Sequence, residues 1–81
     1  MLSAPEYHRL LSRHLLPMLA GATLEKSPIP GALTDSQVIT ESAGQILVRP
    51  DIGWPYCFRI SRAHPFEVDD TRLALQFVRA L

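Results

Sequence analysis

Only one cysteine, Cys57, occurs in this chain of 81 residues, so no disulfide can close within it and a reducing compartment is the simplest setting. Lysine is equally scarce, with Lys26 standing alone beside seven arginines. Charge of one sign is missing too: eight basic and eight acidic side chains cancel to a net charge of zero. No global field therefore draws the chain onto nucleic acid or an anionic membrane. No apolar run approaches the roughly 20 residues that span a bilayer, and the first residues lack the basic start and apolar stretch of a secretory signal. Together these shortages predict a cytoplasmic protein with no membrane partner. The four glycines are isolated, so neither a Gly-x-Gly-x-x-Gly pattern nor a phosphate loop is present, and no cofactor is expected.

What the chain does have is enough apolar material to fold. Leu, Ile, Val and Phe make up 24 of the 81 residues, above the level of about 20% below which chains stay disordered. One small domain is expected, removing only about 60% of its unfolded surface from water. The composition, rich in Arg, Ala, Leu and Pro, is that of proteins from GC-rich bacterial or phage genomes.

Leu2-Ser3-Ala4-Pro5-Glu6-Tyr7 writes a helix start. Ser3 can cap the Glu6 amide, Glu6 can return the bond, and Leu2 can pack on Tyr7 as a hydrophobic staple. Tyr7, Leu10, Leu11, Leu15, Met18 and Leu19 then follow helical spacing, predicting a helix over about 4–20 that kinks at Pro17 and stops at Gly21. Residues 22–36 show no period and hold Pro28, Pro30 and Gly31, which reads as a Pro-rich loop with Ser27-Pro28 extended. Strands are predicted over about 37–42, 45–49 and 56–61, the first two joined by a turn at Ala43-Gly44. Tyr56, Phe58 and Ile60 should face the core, whereas Cys57, Arg59 and Ser61 should not. Asp69 or Asp70 can cap a last helix over about 70–81 that is apolar around most of its circumference. The order α-β-β-β-α predicts an α+β domain: a three-stranded antiparallel meander with both helices on one face.

Chemistry-bearing residues are few. His14 falls inside the stripe of the first helix, where it is either a satisfied core histidine or part of an interface. His8 and His14 are six apart, which turns them away from each other on a helix, so the histidines do not predict a metal site. Cys57 with His64 is the only covalent-catalysis pair to be sketched, and it lacks an orienting third group. Asp69-Asp70 reads as capping. Arg49 and Arg59 share the sheet face opposite Phe58 and Ile60, with Trp54 in the adjoining turn and Arg62 beyond; such a set can pair with carboxylates, anchor a protein interface or bind phosphate.

The expectation is a non-enzymatic regulator or inhibitor that works by binding another protein, with homodimerisation compatible. Its candidate contact residues are Arg49, Trp54, Arg59, Arg62, His14 and an exposed Leu16. A nucleic-acid-binding module using the Arg and aromatic face is the first alternative. A small enzyme or accessory subunit centred on Cys57 and His64 is the second.

Overall fold

The computed structural model describes residues 3–28, 38–49 and 53–81. Ser3 starts the first helix as its sequence demands: its hydroxyl accepts from the Glu6 amide at 3.4 Å, and the Ser3 amide donates to the Glu6 carboxylate at 3.1 Å. Leu2, the other half of the expected staple, lies outside the described residues.

Helix α1, Ala4–Leu10, does not continue as a plain α-helix to residue 20. It runs into a wider π turn over Leu11–Leu15 and then a tight 3-10 turn over Leu16–Met18. Pro17 is the cause, because it donates no bond and its ring crowds the carbonyl four residues back. The Leu16 amide reaches five residues back to Leu11, while the Leu19 amide reaches only three back to Leu16. Each residue of a π turn rotates less than in an α-helix. Four-residue steps therefore stay in line, and Tyr7, Leu11, Leu15 and Leu19 form one buried row. The same rotation carries His14 out of that row into solvent and leaves Met18 exposed, overturning the expectation that both sit in the stripe.

Strand β1, Thr23–Pro28, occupies part of the segment read as a loop. It is followed by β2 (Val38–Ser42), β3 (Gln45–Val48) and β4 (Tyr56–Ser61), and by helix α2 over Val68–Ala80. The predicted antiparallel meander β2-β3-β4 is present within an α+β fold, and β1 adds a fourth strand beyond β4 in the order β1-β4-β3-β2. Proline ends β1, a position an outer strand tolerates because no ladder bond is lost. The Ala43-Gly44 turn joins β2 to β3 as expected, and the end of β4 closes against it: the Arg62 amide donates to the Gly44 carbonyl and the Phe66 amide to that of Ala43.

Glu67, not an aspartate, caps α2, and Asp70 closes a capping box by accepting from the Glu67 amide at 2.8 Å. The core gathers the buried row of the first helix with Ile46, Val48, Phe58, Ile60, Phe66, Ala74 and Val78. Leu47 and Cys57 point to the other sheet face, and both are fully buried, so that face is covered as well. Cys57 thus points away from the helix-side core, as expected, and is buried all the same.

Candidate interaction surface

A file of rings runs along the helix-side margin of β4. Trp54 meets Tyr7 and Tyr56 edge to face, each at 5.2 Å between centroids, and Tyr56 meets Phe58 at 5.8 Å. Such pairs hold aromatic side chains in fixed relative orientations. Lys26 of β1 lays its ammonium 4.2 Å above the Tyr56 ring. On the opposite face of the same two strands, Arg59 reaches Glu25 at 3.8 Å.

The backbone of β1 follows from the ladder beside it. Arg62 bonds Gly44, continuing the pairs Ile60 with Ile46 and Phe58 with Val48. Antiparallel bonding alternates along a strand, so these residues of β4 address β3 while Cys57, Arg59 and Ser61 address β1. Their partners Ser27, Glu25 and Thr23 use their backbone groups inward. Leu24 and Lys26 therefore turn N–H and C=O outward, whereas the Pro28 carbonyl accepts from the Ser27 hydroxyl at 3.2 Å and from the Cys57 thiol. Among the described residues no strand pairs with that outer side. Thr23, Glu25 and Lys26 are exposed.

Most of the residues that the sequence nominated turn inward. Arg49 is buried and held within the chain, not spread on a solvent face. Arg62 donates through Nε to the His64 carbonyl at 3.2 Å and through Nη2 to the Pro65 carbonyl and the Asp70 carboxylate, each at 2.9 Å. Its guanidinium also stacks 4.1 Å over Phe66, so it ties the β4–α2 connection to the helix start. Trp54 is half-buried in the aromatic file, and Leu16, expected to be exposed, is half-buried against the core. His14 is free of the core on the outer side of the first helix, apart from the other five. Of the six, Arg59 reaches β1 through Glu25.

The pair sketched for covalent chemistry is not brought together. Cys57 is fully buried near the start of β4, its thiol directed at the Pro28 carbonyl at 3.6 Å. His64 is exposed beyond the far end of that strand, and Cys57 to Ser61 alone spans about 13 Å at strand rise. Among the described residues no group of three or more His, Cys, Asp or Glu side chains is placed to hold a metal ion, and no helix is long and apolar enough to cross a membrane.

Two features escaped the sequence reading. One is the outer margin of β1, with Leu24, Glu25 and Lys26. The other is an open hollow of about 460 Å³ at the start of α2, between Phe66, Thr71 and Leu75, beside an exposed Val68. The apolar circumference of α2 was its one available sign. The chain matches no family model, no curated protein and no solved structure.

Proposed function

We propose that this chain is a non-enzymatic protein-binding module, acting as a small regulator or inhibitor, and that it meets its partner along β1. The observation that carries this reading is the outer side of β1, whose outward backbone groups at Leu24 and Lys26 pair with no strand among the described residues. Outer strands normally guard such groups with charged side chains, because a free ladder invites another chain. Here the two charged residues lean the other way, Lys26 over Tyr56 and Glu25 toward Arg59, both on β4.

The nucleic-acid alternative drew on Arg49, Arg59, Trp54 and Arg62, and the three guanidiniums all have partners within the chain. Affinity for single-stranded DNA that is undetectable at low salt ends that alternative. A photo-crosslinking amino acid at the exposed Thr23 of β1, with one at Arg79 of α2 as the reference, tests the protein-binding reading in the cell that makes the protein. One protein should be captured at position 23 and missing at 79. Equal capture at both positions, or none from a folded and abundant protein, refutes the assignment.

A further inference from the structure

We infer that β1 accepts an extended acidic segment of a different protein as a fifth, antiparallel strand, with a carboxylate opposite Lys26 and an apolar side chain opposite Leu24. This rests on the protein-binding reading and gives the partner its chemistry. Every pairing in the sheet is antiparallel, and an added strand continues the pattern through the outward groups of Leu24 and Lys26. Leu24 is half-buried on the core side, so an apolar residue facing it extends the core by one side chain. Lys26 brings the only ammonium side chain of the chain to the same side, exposed and with a π face beneath it, so a carboxylate across the strand gap completes its charge.

A second copy of this chain fits worse in each available register. Using Leu24 and Lys26 of both copies sets Glu25 opposite its own mate, with Cα atoms about 4.5 Å apart in a non-hydrogen-bonded pair. The next register toward Pro28 sets Lys26 against Lys26 and meets a proline that cannot donate. The register in the other direction meets Ala22, whose amide already donates to Leu19. Chain identity is thus selected against, while an acidic strand meets neither obstacle.

The probes are two capped peptides, Thr-Thr-Asp-Thr-Val-Thr-Thr and its counterpart with Lys in place of Asp, titrated into the whole chain while amide hydrogen exchange is followed. The Asp peptide should slow exchange at Leu24 and Lys26 and leave Glu25, already bonded to β4, unchanged. It should bind about tenfold more tightly than the Lys peptide, and Lys26→Glu, an exposed change that preserves the fold, should reverse the order. Equal affinity of the two peptides, no binding of either at millimolar concentration, or protection at Leu24 and Lys26 that rises with protein concentration alone overturns the inference. Capture at position 23 in the cell combined with peptide failure removes the acidic strand and keeps the protein-binding reading. Failure of both removes both.

Discussion

Replacing Arg62 by Met tests the most heavily used side chain of the fold. The guanidinium is 8% exposed, lies over Phe66, and satisfies the carbonyls of His64 and Pro65 together with the carboxylate of Asp70. Met fills much the same volume without donors, so the experiment removes bonds more than packing. Cutting a buried pair by deleting one partner costs about 3–5 kcal/mol. That figure is an upper bound here for two reasons. Asp70 is 22% exposed and keeps its bond from the Glu67 amide, and His64 and Pro65 are exposed enough for water to take up their carbonyls. Bonds to a charged group contribute about 1.5–3 kcal/mol, and stacking over an aromatic about 0.5–1 kcal/mol. The expected loss is about 3 kcal/mol.

For a domain of this size that loss lowers Tm by about 12–24 °C. Urea unfolding followed by Trp54 fluorescence measures it, because Trp54 lies between Tyr7 and Tyr56 and changes surroundings when helix and sheet separate. Asp70→Asn in the same background gives the coupling: the double variant should be less than additive by 1–2 kcal/mol, about the scale of one buried charged bond. A loss below about 1 kcal/mol for Arg62→Met, or strict additivity with Asp70→Asn, would refute the claim that this side chain fastens the connection to α2.

Gly44→Ala should destabilise by about 1–3 kcal/mol, since a Cβ there comes 2.6 Å from the Arg62 carbonyl oxygen, a backbone atom that moves only with β4; faster amide exchange at Arg62 is the local readout. Gly21→Ala should cost about 1 kcal/mol by urea midpoint for a different reason, because Gly21 holds φ +80 with no atom near enough for a Cβ to strike, and Asn should cost less than Ala. The bonds from the Ser3 hydroxyl and amide hold the Glu6 carboxyl below the usual glutamate range. A lowered folded-state pKa means that the stabilisation is full above the ordinary glutamate titration and fades as pH falls through the lower, folded value. An NMR titration of Glu6 should move up toward the ordinary range in Ser3→Ala, which removes the hydroxyl bond and keeps the amide one, and an unmoved midpoint refutes the box. Cys57 should react with a thiol reagent only on unfolding, and rapid labelling of the native chain would contradict its burial.

The capping box, the meander and the alternation of Phe58 and Ile60 were legible in the sequence because each is written by residues close together. Ser3 and Glu6 are three apart, and β3 and β4 carry their own apolar patterns. Strand β1 has no such pattern. Thr-Leu-Glu-Lys-Ser-Pro offers one apolar side chain to the core, at Leu24, and becomes a strand only by pairing with residues 28 to 38 positions later. The buried second face had a weak sign that alternation alone hides. Ile46-Leu47-Val48 and Tyr56-Cys57-Phe58 are runs without a polar interruption, as in strands covered on both sides. His14 was misplaced because helical spacing assumed one uniform period, and Pro17, three residues after the histidine, shifts that period over Leu11–Leu15.

The contrast between the arginines near the sheet and the single lysine follows from the size of the domain. A chain of 81 residues has too few apolar atoms to close both faces of a four-stranded sheet, and an arginine stem supplies methylene surface while its flat fork satisfies several carbonyls at once. Arg62 does this at the start of α2, and Arg49 is buried on the sheet. An ammonium is compact and strongly hydrated, so it fits such sites poorly and stays at a margin. Lys26 is at that margin, beside outward backbone groups that nothing described in the chain occupies. The cations that the sequence offered as a binding surface thus complete the fold, and the one that attracted no notice stands where a partner strand would begin.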